Sequence, residues 1–118
     1  QMIPQLLLKV NRQAYTIKYS SILADRYRKR MRDIDDIAQL NTFLDSLELE
    51  TKFKDYLKEN GVEVDPQEWE ISKDIIITQL RALTGRYTPL DDYAFYSIMA
   101  KLDNMVSEAV ATPSDWLE

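Results

Sequence analysis

Residues 65–83 read DPQEWEISKDIIITQLRAL, and the reading of this stretch decides the fold class. Asp65 has the short acceptor side chain of an N-cap, and Pro66 suits the first helical position. Glu68 stands three residues after the cap and completes a capping-box-like pattern. Behind this start, Trp69, Ser72, Ile76, Leu80 and Leu83 recur in steps of three and four, with Ile75 and Ala82 beside them. That spacing places them on one face of a helix. Gly85 lies near its end. Thr88-Pro89 then forces a break, because the residue before proline is pushed out of the helical region.

The same period extends in both directions. Downstream, residues 90–111 carry Tyr93, Ala94, Ile98, Leu102, Met105, Val106 and Val110 as an apolar face, and Asp103 offers an internal N-cap that would divide the segment. Thr112-Pro113-Ser114-Asp115 reads as a terminal loop, with Trp116 beyond it. Upstream, residues 49–60 turn Leu49, Phe53, Tyr56 and Leu57 inward, and Gly61 ends the helix because glycine accepts the left-handed C′ conformation cheaply. Before it, residues 36–46 bury Ile37, Leu40, Phe43, Leu44 and Leu47. Asp33, Asp35 and Asp36 crowd the start, where the helix dipole favours negative charge.

The first pattern is the longest, over residues 4–31. Ile3, Leu7, Val10, Ala14, Ile17, Ser21, Ala24 and Met31 form a stripe with Arg28 its polar exception, and Leu6, Tyr15, Tyr19, Ile22, Leu23 and Tyr27 widen it. A face so wide needs cover from more than one neighbour. The expected fold is all-α: a single domain of five or six helices over residues 1–112, with a long N-terminal helix as its spine, and a C-terminal tail over residues 113–118. Two glycines and four prolines in 118 residues fit that expectation.

Composition narrows the chemistry. Cysteine and histidine are both absent. The chain therefore has no thiolate nucleophile, no imidazole base, and none of the nitrogen or sulfur ligands usual for zinc, copper and iron. Fifteen basic and twenty acidic residues leave a formal charge of −5, which argues against nucleic acid as a partner of the whole domain. No apolar run approaches the roughly 18 residues of a membrane span. Residues 1–9 have no basic leader, and Lys9 and Arg12 cut the apolar run short, so no signal peptide is expected there. The chain opens on Gln1 rather than Met, as a piece of a longer protein would.

Three groups of residues are candidates for chemistry. Asp33, Asp35 and Asp36 lack the loop spacing and glycine of a calcium-binding EF-hand and read as a solvated helix start. A Ser-Lys dyad is the remaining route to a nucleophile, but Ser72 and Lys73 are neighbours and diverge by about 100° on a helix. Lys18 is better spaced from Ser21, yet Ser21 sits in the apolar stripe, and no glycine-rich turn offers an oxyanion hole nearby. No cofactor is expected. Arg26, Arg28, Lys29, Arg30 and Arg32 form a basic run that could meet phosphate. As the last turn of a helix it complements the dipole, and it is expected to pair with Asp33–Asp36 or with carboxylates of a neighbouring domain.

Several stretches resemble a known family. YSSILADRYRKRMR (residues 19–32), with its Ala24-Asp25-Arg26-Tyr27-Arg28 core, resembles the helix that leaves the catalytic core of carboxy-terminal-processing, or tail-specific, peptidases of the long-tailed Bacteroides-like type. The short helix IAQLNTFLDSL (37–47), the YLKENGV ending (56–62), Ser72–Ile76, Leu80–Leu83 with Arg86, and the aromatic helix from Asp91 to Ile98 continue the likeness over nearly the whole chain. Asn104 and Thr84-Gly85 depart from it.

The resemblance implies a parent that is an exported, periplasmic or envelope-associated serine endopeptidase with a Ser-Lys dyad and a PDZ domain. Those parts lie upstream of the matched region, so no catalytic residue carries over. The chain is then expected to be a non-catalytic C-terminal accessory domain that packs on the peptidase core, mediates self-association or shapes substrate access. Expected contact residues are Leu6, Tyr15, Tyr19 and Tyr27, rimmed by Arg26, Arg28 and Arg30, with a homodimer formed through the first helix and neither nucleic acid nor membrane insertion. The alternative is a free-standing helical adaptor unrelated to proteolysis.

Overall fold

The computed structural model describes residues 4–109, with side chains through residue 102. Its helices are α1 (Gln5–Arg12), α2 (Tyr15–Arg26), α3 (Arg28–Arg32), α4 (Ile37–Asp45), α5 (Leu49–Glu59), α6 (Pro66–Gly85) and α7 (Asp92–Ala109). The fold is all-α, and the described residues contain no strand. The described residues form seven helices where five or six are expected.

The 20-residue α6 is the spine. Asp65 caps it by accepting from the N–H groups of Gln67 (3.1 Å) and Glu68 (3.0 Å), with Pro66 at its first position. Trp69, Ser72, Ile76, Leu80, Ala82 and Thr84 are buried along it, and α1, α2, α5 and α7 all pack against it. Arg81 ties it to α4 through Asp45 at 2.8 Å and Asn41 at 3.2 Å.

The expected long first helix is broken twice. Ala14 adopts left-handed dihedrals (φ 58°, ψ 37°), and its N–H turns back to the carbonyl of Asn11. An unbroken rod over residues 4–31 would run about 42 Å, well beyond the roughly 30 Å of α6. The break lets both pieces lie on α6 instead. It also rotates the buried face: α2 buries Thr16, Tyr19, Ser20 and Leu23, and the expected stripe residue Ile17 is 55% exposed. A second, milder interruption at Tyr27 separates α2 from α3.

Elsewhere the expected ends are close. Asp36 caps α4 by accepting from the Gln39 N–H at 2.8 Å. Gly61, at φ 80°, closes α5 in a Schellman motif, with the Val62 N–H on the Leu57 carbonyl (2.9 Å) and the Gly61 N–H on the Lys58 carbonyl (3.0 Å). Gly85 has a different use. A Cβ there would lie 2.9 Å from Ala94 Cβ and 3.1 Å from Leu40 Cδ2, so its lack of a side chain admits α7 and α4 to the end of α6.

Thr88 turns the chain into α7, its Oγ1 donating to the Gly85 carbonyl (2.7 Å) and accepting from the Leu90 N–H (3.3 Å). α7 buries Ala94, Ile98 and Leu102, runs unbroken past Asp103, and leaves Tyr93 exposed, against expectation. The expected roles of Met105, Val106, Val110 and Trp116, and the boundary at residue 112, lie outside the described residues. No helix among the described residues is long and apolar enough to cross a membrane.

Candidate interaction surface

The possible nucleophile is remote from solvent. Ser72 is fully buried, and its Oγ has no hydrogen-bond partner. Lys73 points to α5 and to its own helix, reaching Glu70 at 3.3 Å and Glu50 at 3.7 Å. The hydrogen bond it donates to Glu70 is the chief reason its ammonium is held above the usual lysine range. Lys18 and Ser21 are both exposed. Lys18 lies over the Tyr15 ring, 5.4 Å from its centre. Among the described residues, no three carboxylates converge as a metal-holding group.

Two of the expected contact residues sit inside the domain. Leu6 is buried in the core, and its N–H donates to Glu68 Oε1 at 2.7 Å. Tyr19 is 5% exposed and packs on Phe53 and Tyr56, with ring centres at 5.6 and 4.7 Å. Burial pushes its phenol above the usual tyrosine range, outweighing the lowering effect of Arg26. Half-buried Tyr15 joins the same cluster, edge-on to Tyr56 at 6.0 Å. Half-buried Tyr27 meets the Phe43 ring at 5.6 Å, with Lys52 Nζ 3.4 Å from its hydroxyl. These tyrosines fasten α2 to α4 and α5. The broken helix turned them inward.

The expected polar rim remains at the surface. Arg26, Arg28 and Arg30 are exposed, together with Lys29 and Arg32. Arg28 meets Asp25 at 3.1 Å, an open pair with side chains 71% and 80% exposed. Arg30 lies over the Phe43 ring, 4.8 Å from its centre. Among the described residues, Lys29 and Arg32 make no ion pair, and none joins the basic run to Asp33, Asp35 or Asp36. Of the three, Asp36 is committed to capping α4.

A groove of about 520 Å³ opens beside this run. Arg28 and Arg32 stand on one wall, Tyr87 and Pro89 on the other, and Ala24 and Met31 supply apolar lining. Tyr87 is 53% exposed, while Met31 is almost wholly buried. A second depression of about 420 Å³ continues around the α2–α3 turn and shares Asp25, Arg28 and Arg32 with the first. Residues about 60 positions apart thus form one feature. Tyr87 and Pro89 escaped sequence reading because they look like ordinary turn residues; only the packing of α6 against α2 brings them to the basic run.

Over residues 6–88 the chain matches the model of a family described as "Family of unknown function (DUF8443)". No curated protein and no solved structure matches it. None of these comparisons connects the chain with a peptidase. The matched region includes the basic run and Tyr87, and ends one residue short of Pro89.

Proposed function

Since the chain belongs to DUF8443, a family of unknown function, we propose from its own residues that it is a non-catalytic helical accessory domain that works by docking. The observation that carries this reading is the segregation of charge around the groove. Residues 25–32 hold five cations and one carboxylate, a local charge of +4, so the remaining residues carry −9 to give the chain its −5. Such a patch steers and orients a complementary surface. Two further features support the reading. The chain has no imidazole or thiol, and Ser72 is buried apart from the Lys73 ammonium.

The resemblance of residues 19–98 to peptidase tails supplies a candidate owner. In that proposal the parent is an exported carboxy-terminal-processing serine peptidase, and this chain packs on its core. A first-helix homodimer would have to use exposed Leu8, Ile17 and Ile22, which are not among the expected contacts, in place of buried Leu6 and Tyr19. The test begins with the reading frame upstream of Gln1. A Ser-Lys core with a PDZ segment supports the peptidase parent, whereas a nearby start codon favours the free-standing adaptor. Given such a core, the 118-residue chain and the core expressed separately should associate in solution. The chain alone should hydrolyse neither peptides nor activated esters, and turnover abolished by Ser72→Ala would overturn the docking reading.

A further inference from the structure

We propose that the groove between the α2–α3 turn and the Tyr87–Pro89 turn binds a short acidic peptide segment of a partner protein, one bearing an apolar side chain among its carboxylates. This rests on the docking reading and names the chemistry of what docks. Arg28 and Arg32 rise from the groove wall, and guanidinium groups match carboxylates in a two-pronged geometry that lysine cannot offer. Among the described residues Arg28 pairs with exposed Asp25 alone, and a pair of that kind contributes little and exchanges readily.

Apolar lining from Ala24, Met31 and Pro89 gives a side chain somewhere to bury. Tyr87, half in solvent at the rim, offers an aromatic face and a hydroxyl, the amphipathic combination enriched where proteins meet. The volume of about 520 Å³ suits a few side chains rather than a folded domain.

Charge favours a short acidic peptide over a nucleic acid. The cationic patch spans eight residues, and the rest of the chain carries −9. The excess of acidic residues over the rest of the chain disfavours a long polyphosphate, whereas a short peptide needs only the patch itself. Asp25 in the groove wall repels phosphate and carboxylate alike, but it can accept from the amide or hydroxyl donors that a peptide carries beside its carboxylates.

The test uses the full 118-residue chain and a fluorescein-labelled synthetic peptide of glutamates and aspartates around a central leucine. Controls are the same peptide with glutamines and asparagines, and an oligouridylate RNA. Anisotropy should report binding of the acidic peptide, weakening as salt rises. Arg28→Glu with Arg32→Glu should weaken it at least tenfold, and Tyr87→Ala should weaken it less. Both arginines are exposed, so circular dichroism should show an unchanged fold in the double variant. Amide shifts should fall at Ala24, Met31, Tyr87 and Thr88.

No binding, equal binding of the neutral peptide, indifference to the double reversal, or shifts confined to another face would each overturn the proposal. So would tighter binding of the RNA lost in the same variant, which would mark a phosphate site. If the peptide fails while the chain still associates with a partner, the groove is wrong and docking stands. Turnover by the chain would instead remove docking itself.

Discussion

The carboxylate of Glu68 accepts a 2.7 Å hydrogen bond from the backbone N–H of Leu6. Sequence reading gave Glu68 a local task, closing a capping box on Asp65. Its side chain instead spans 62 residues and serves the start of another helix. The Leu6 N–H is one of the first-turn donors that α1 cannot satisfy internally. One carboxylate thus lies near two positive helix ends. Glu68→Ala should lower stability by about 1.5–3 kcal/mol, the range for bonds to charged groups. Urea unfolding would measure it, and the Leu6 amide should exchange faster. Equal stability and unchanged exchange would show that α1 is held by its apolar contacts alone.

Alanine is preferred to glycine inside a helix by about 1 kcal/mol, and at Gly85, the last residue of α6, at most that gain is available. Here the added Cβ meets Ala94 Cβ at 2.9 Å, an atom fixed to the α7 backbone. Overpacking of this kind costs about 1–3 kcal/mol, so Gly85→Ala should be net destabilising by about 1 kcal/mol. Adding Ala94→Gly should recover part of the loss, because the pair shares one space. A double-mutant cycle measures that coupling.

Ser72 carries a buried hydroxyl without a partner. Ser72→Ala removes that unsatisfied group and improves helix propensity, so it should stabilise the domain by about 1 kcal/mol. A loss of stability would mean that the hydroxyl is satisfied in solution.

Tyr19 and Tyr56 are both shifted above the ordinary value of 10.0, chiefly by desolvation. The unfolded chain therefore loses these protons first as pH rises, and by linkage the folded state is destabilised. The stability associated with the shifts is present below pH 10 and is lost as pH rises through the raised folded values. Stability measured from pH 9 upward should fall, and in Tyr19→Phe it should fall less steeply. A flat profile across that window would contradict the burial of the phenol.

Helix class and most inner faces were legible because apolar period and capping residues are local signals. Asp65-Pro66, Asp36 and Gly61 each do in space what their side chains imply in sequence. The break at Ala14 was not legible in the same way, since alanine is a strong helix former and no glycine or proline marks the spot. The polar run Asn11-Arg12-Gln13, all exposed, is its one trace. Missing it turned the expected face by a residue, so Ile17 was placed inside and Tyr19 was assigned to a surface. The basic run is exposed, as five cations within seven residues favour solvent over a core. Its opposite wall at Tyr87 arises only from long-range packing.

The whole arrangement depends on the left-handed turn at Ala14, which folds α1 and α2 onto α6. Its most direct test is the stability of Ala14→Gly, measured by reversible urea or thermal unfolding. Glycine adopts φ 58° without the Cβ penalty of roughly 1–2 kcal/mol, so the variant should be as stable as the parent chain or more so. In a continuous helix over residues 4–31 the same substitution would cost about 1 kcal/mol. A clear destabilisation of that size would contradict the account.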